Sequence, residues 1–126
     1  MAGFFLMSPF KGQTGLKRIL NASGYSLDGL RAAFTGEAAF RQLVLLNVVL
    51  IPLTFFLNVS RVEQAVLIAV CLLALIVELL NSAVEAAIDR ISLELHPLSK
   101  NAKDMGSAAQ FVALSMIALV WAVILL

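Results

Sequence analysis

Glu78-Leu-Leu-Asn81-Ser82-Ala-Val-Glu85-Ala-Ala-Ile-Asp89 follows directly on the apolar run 65–77, with no break signal between them. At about 100° per residue, a continuous helix places Glu78, Asn81, Ser82, Glu85 and Asp89 within roughly a 100° arc. The other faces carry Leu79, Leu80, Ala83, Val84, Ala87 and Ile88. A polar stripe therefore runs along a helix that is otherwise compatible with lipid. An unpaired carboxylate in hydrocarbon costs at least ~2.5 kcal/mol. Something must compensate that charge, and a bound cation or a substrate is the usual answer. Glu78 lies ~16 Å further along the axis than Asp89 at ~1.5 Å per residue. Glu78 is thus expected below the headgroups, with Asp89 at the surface.

The composition agrees with a membrane setting. The 126 residues are 61% hydrophobic and 13% charged, against roughly 25% charged in a soluble domain. That length suits one domain. The net charge of +1 and the lack of a basic run argue against nucleic acid as a partner. Cys71 is the single cysteine, which excludes a disulfide or a cysteine metal site within one chain. In its apolar run it reads as a small apolar filler.

Residues 1–14 read as a flexible tail, too short in apolar length for a signal peptide. A single domain is then expected over 15–126. In 16–34, Leu16, Ile19, Leu20, Leu27, Leu30 and Phe34 share an arc, with Lys17, Arg18, Asn21, Tyr25 and Asp28 largely opposite. This is the pattern of an amphipathic helix resting in the membrane interface. Gly24 and Gly29 leave one helix or two short pieces equally open.

Three spans are expected, at about 42–59, 62–89 and 105–126. The first contains Asn47 and Pro52, which should kink it. Ser60 and Glu63 match a capping box that starts the second. That helix should continue to about Glu94 and end before His96-Pro97. Ser99 or Asn101 could cap the third, and Trp121 near its end suits an interfacial belt. Five Lys and Arg precede the first span (Lys11, Lys17, Arg18, Arg31, Arg41), Arg61 lies in the first turn, and Arg90, Lys100 and Lys103 lie in or near the second loop. Positive-inside then predicts a cytoplasmic N-terminus and second loop, and a periplasmic C-terminus.

Carboxylates gathered with an amide at an interface suit Mg²⁺, which prefers oxygen ligands and keeps waters that bridge to phosphates. Arg18, Arg31, Lys100 and Lys103 could hold phosphate oxygens. A partly desolvated Glu78 suits a general base for a hydroxyl. Metal, cationic clamps, base and positioning are the parts of phosphoryl transfer. Neither a P-loop nor a protein-kinase glycine loop occurs. Intramembrane acids also serve proton and ion paths, so a small ion-coupled transporter stays open on these residues alone.

The strings Gly24-Tyr-Ser, Gly29-Leu-Arg-Ala-Ala, Glu37-Ala-Ala-Phe-Arg-Gln, the stripe through Arg90, and Ala102-Lys-Asp-Met-Gly-Ser-Ala-Ala109 closely resemble the small integral-membrane prokaryotic diacylglycerol kinases. The resemblance runs from about Gly15 to the C-terminus. It implies an all-α membrane protein with three transmembrane helices and an amphipathic surface helix, assembled as a homotrimer with composite active sites in the bacterial inner membrane. It implies MgATP-dependent phosphorylation of the primary hydroxyl of diacylglycerol. On matching positions Glu78 is the base, and Glu37 and Glu85 are metal ligands. Arg18, Tyr25, Glu37, Glu85, Glu94, His96, Lys103 and Asp104 contact ATP. Arg18, Ala22, Ser23, Gly24, Tyr25, Ser26, Leu27, Arg31, Ala32, Ala33, Phe34, Glu78 and Ser107 border the lipid, and Asn81 and Asp89 support the site. Undecaprenol kinases share this family, so a polyprenol is the alternative substrate. Leu27, Asp28 and Leu95 depart from what relatives often carry at those places.

Overall fold

The computed structural model describes residues 15–92 and 94–126. They form α1 (Gly15–Gly36), α2 (Ala38–Leu53), a 3-10 turn (Thr54–Phe56), α3 (Arg61–Ile91) and α4 (Pro97–Leu125), with no strand among the described residues. The chain divides into two compact units, one ending at Gly36 and the other running Glu37–Leu126. The expected tail, 1–14, lies outside the described residues.

The first unit contains α1, a single uninterrupted helix of 22 residues despite Gly24 and Gly29. Ser23 Oγ donates to the Ile19 carbonyl and Ser26 Oγ to that of Ala22, each at 2.9 Å. These bonds turn local hydroxyls back onto the helix, so they do not compete with it. Leu16, Ile19, Leu20, Leu27, Leu30 and Phe34 are all exposed.

In the second unit α3 packs against both α2 and α4. Its core joins Leu43 of α2 to Val70, Cys71 and Ala74 of α3 and to Ala113 and Ile117 of α4. The alanines and Cys71 let the backbones come close, which is how helices associate where lipid removes the hydrophobic drive. Cys71 is fully buried, as its filler reading anticipates. Leu45, Val48, Phe55, Phe56, Leu119 and Val123 remain exposed. That surface is stable when hydrocarbon is the solvent, and three helices, Ala38–Phe56, Arg61–Ile91 and Pro97–Leu125, are long and apolar enough to cross a membrane.

The span limits differ from the sequence expectation for local reasons. The first helix starts before 42, because Glu37 takes an extended N-cap conformation and its carbonyl accepts from Arg41 N at 3.3 Å. Pro52 removes one N–H from the last turn of α2, leaving the Val48 carbonyl without that partner. The chain tightens into the 3-10 turn just beyond it, so the span closes at Phe56 rather than 59. Thr54, 1% exposed, donates to the Ile51 carbonyl at 2.7 Å and accepts from Gln64 Nε2 at 3.2 Å, which ties this turn to α3.

The capping box is present in full. Ser60 Oγ accepts from Glu63 N at 3.1 Å, and Ser60 N donates to Glu63 Oε1 at 2.8 Å. Ser60→Ala should therefore lower the thermal midpoint in detergent by a few degrees without touching activity, since one capped donor is released at the end remote from the stripe. Thermal unfolding followed by circular dichroism checks this.

At 31 residues α3 is ~46 Å long, which exceeds the ~30 Å of hydrocarbon by half again. It ends at Ile91, short of 94. Ser92 turns extended there, and its hydroxyl accepts from Glu94 N at 3.0 Å. Neither Ser99 nor Asn101 caps the last helix. His96 does, its Nδ1 accepting from Leu98 N at 3.1 Å, with Pro97 as the first helical residue. Proline fits there because its missing N–H would be unpaired in any case, and its φ is already helical. Trp121, expected in an interfacial belt, packs against the core cluster, and its Nε1 is buried.

Candidate active site

The stripe on α3 is graded in burial within the protein. Glu78 is 5% exposed, Asn81, Ser82 and Glu85 are half-buried, and Asp89 is exposed. Glu78 Oε2 is buried without a hydrogen-bond partner. Glu85 and Glu37 are the carboxylates whose charge acts on it. Glu37 comes from the N-cap of α2 and makes no side-chain cap bond, so its carboxylate is not committed to the helix end.

A buried carboxylate faced by the charge of two others favours a cation nearby. Among the described residues no three His, Cys, Asp or Glu side chains form a complete metal cage. Two carboxylates completed by phosphate and water oxygens are the usual Mg²⁺ arrangement at nucleotide sites. Glu37 and Glu85 fit that role.

Where the stripe emerges, α4 returns beside it. Lys103 Nζ donates to Asp89 Oδ1 at 2.7 Å, and Lys100 Nζ donates to Asp104 Oδ2 at 2.5 Å. The loop between α3 and α4 leaves a cavity of about 680 Å³, lined in part by Asp89, Glu94, His96, Lys100, Lys103 and Asp104. That volume is within the range of small-molecule sites. Four residues assigned to ATP from sequence, Glu94, His96, Lys103 and Asp104, thus share one cavity. Ser107 is exposed one turn further along α4. Arg18, Ala22, Ser23, Gly24, Tyr25, Ser26, Leu27, Arg31, Ala32, Ala33 and Phe34 all lie on α1, in the other unit. Of these Ala33 is buried, and Arg31 pairs with Asp28 at 3.8 Å.

Residues 24–125 match the sequence profile described as prokaryotic diacylglycerol kinase. The chain belongs to the prokaryotic diacylglycerol kinase family. A diacylglycerol kinase of Pseudomonas aeruginosa is 80% identical over 94% of this chain and 97% of its own length. Diacylglycerol kinases of Haemophilus influenzae and Escherichia coli K12 are 50% and 46% identical, each over 89% of this chain and 95% and 92% of their own lengths. The family match covers the stripe, the α3–α4 loop and all of the cavity lining.

Sequence reasoning missed three residues at the cavity and the stripe. Pro97 and Ser92 line the cavity, but read in sequence they are only breakers. Gly106 lies against Asn81. Its signal was there to find, because a glycine inside a helix weakens it and needs a packing reason.

Proposed function

We propose that this chain, a lipid kinase of the prokaryotic diacylglycerol kinase family, transfers the γ-phosphoryl group of MgATP to the primary hydroxyl of 1,2-diacylglycerol, giving phosphatidate. One observation carries the reading. A buried carboxylate, Glu78, stands on the same helix face as acids that rise to a cavity bordered by Lys100 and Lys103. A diacylglycerol hydroxyl stays at headgroup depth, and ATP does not enter hydrocarbon. Reaction between them requires groups on both sides of that boundary, which the stripe supplies.

In this reading Glu78 accepts the proton of the lipid hydroxyl as its oxygen attacks the γ-phosphorus in line, and the bond from that phosphorus to the β–γ bridging oxygen breaks to release ADP. Glu37 and Glu85 hold Mg²⁺, which when bound neutralises phosphate charge and fixes the geometry of transfer. Lys103 holds phosphate oxygens as a point charge. Glu94, His96 and Asp104 border the nucleotide, while Asn81 and Asp89 orient Glu85 and Lys103. His96 can use Nε2 for this, since Nδ1 is engaged as the helix cap. From α1 the reading assigns Arg18 and Tyr25 to the nucleotide, with 22–27, 31–34 and Ser107 toward the lipid. We further propose a homotrimer with composite sites in the bacterial inner membrane. The exposed apolar row of α1 then rests in the cytoplasmic interface, where its basic residues favour anionic headgroups, and the C-terminus is periplasmic.

The test is transfer of radiolabel from [γ-³²P]ATP to lipid in mixed micelles, with a short-chain diacylglycerol and undecaprenol assayed side by side. Label should appear in phosphatidate, depend on Mg²⁺, and favour the diacylglycerol. Preferential labelling of the polyprenol overturns the substrate. Ion flux in liposomes without ATP turnover overturns the kinase reading itself.

A further inference from the structure

We propose that Gly106 is a positioning residue for the metal-nucleotide: its bare backbone lets Asn81 stand against α4 and present its amide to Glu85. This rests on Glu85 being a metal ligand. A Cβ at Gly106 would overlap Asn81 Oδ1, and would lie 3.1 Å from Asn81 Cγ and 3.9 Å from its Cβ. The other described glycines, Gly15, Gly24, Gly29 and Gly36, meet nothing within 4 Å. Gly106 is therefore the described glycine that close packing requires. The crowded atom is specific. Asn81 Oδ1 is buried without a partner, while Nδ2 of the same amide donates to Glu85 Oε1 at 3.5 Å.

An amide is a planar unit, so its oxygen cannot leave Gly106 without its nitrogen moving relative to Glu85. Asparagine is short, with only two side-chain torsions, and cannot yield at its tip alone. A methyl at 106 thus turns the Asn81 amide off Glu85. The carboxylate loses its orienting donor, in a site where it already faces the charge of Glu78. Loss of such an outer partner typically weakens metal binding by about 10–100-fold.

The test is Mn²⁺ titration, read by its paramagnetic resonance signal, on the purified protein in detergent with a non-hydrolysable ATP analogue. Gly106→Ala should weaken Mn²⁺ binding about tenfold. Asn81→Ala should do the same, and the double variant should bind no more weakly than Asn81→Ala, because its methyl has no amide to displace. A general loosening of the helix pair would not be relieved by deleting that amide. Unchanged Mn²⁺ affinity in Gly106→Ala overturns the proposal, as does a double variant whose loss is the product of the two single losses. Should Gly106→Ala not fold, the double variant decides: folding with the affinity of Asn81→Ala supports the proposal, and weaker binding overturns it. Glu85→Gln separates the two readings. Wild-type affinity there overturns Glu85 as a ligand, whereas its loss alongside an unaffected Gly106→Ala overturns the Gly106 assignment alone.

Discussion

Glu78→Gln yields a folded protein that binds MgATP and phosphorylates diacylglycerol at only a small fraction of the wild-type rate. The substitution keeps the shape of the side chain and removes only its capacity to take a proton. A positioned general base contributes about 10²–10⁴-fold, so kcat should fall by that factor while KM for either substrate changes little. Stability should move the other way or not at all. Glu78 is 5% exposed, its Oε2 has no hydrogen-bond partner, and Glu37 and Glu85 repel its charge. A neutral amide at that place relieves a desolvated charge. The measurement is label transfer together with thermal unfolding in the same detergent. Turnover within a factor of a few of wild type would remove Glu78 from the chemistry.

Lys103→Met should cost on the order of 10³ in kcat/KM for ATP, the lower end of what a cation facing a transferring phosphoryl group contributes. Lys103 borders the cavity and is held by Asp89 at 2.7 Å. Both side chains of that pair are about half exposed, at 44% and 51%, and such pairs add little to stability. The thermal midpoint should therefore hardly change, which separates a lost phosphate contact from a lost fold. KM for the lipid should be unaffected, and Lys103→Arg should recover part of the activity. An equal loss toward both substrates would instead place Lys103 in a structural role.

Much of this was legible along the chain, for a physical reason that particular residues illustrate. The axial order from Glu78 to Asp89 follows from ~1.5 Å of rise per residue, and burial within the protein falls along that same order. The Ser60–Glu63 box depends on residues three apart, so it needed no tertiary information. The α3–α4 loop was less legible. His96 and Pro97 were read as a stop, yet they form the start of α4. Breakers mark boundaries without saying on which side the next helix begins. Trp121 was read by its position near a helix end, whereas its direction is set by what α3 offers opposite it, and the core cluster receives it.

The sequence by itself determined the class of this protein: three helices fit for hydrocarbon, and a polar stripe rising along the middle one of them. Those properties repeat with the helical period and need only neighbouring residues. Which groups meet across helices was decided by the tertiary structure alone. Lys103 on Asp89, Gly106 against Asn81 and the cavity under the α3–α4 loop depend on the offset at which two antiparallel helices pack. Cys71 and Ala74 of α3 and Ala113 of α4 share the buried cluster between those helices, and no periodicity within a single helix specifies the offset.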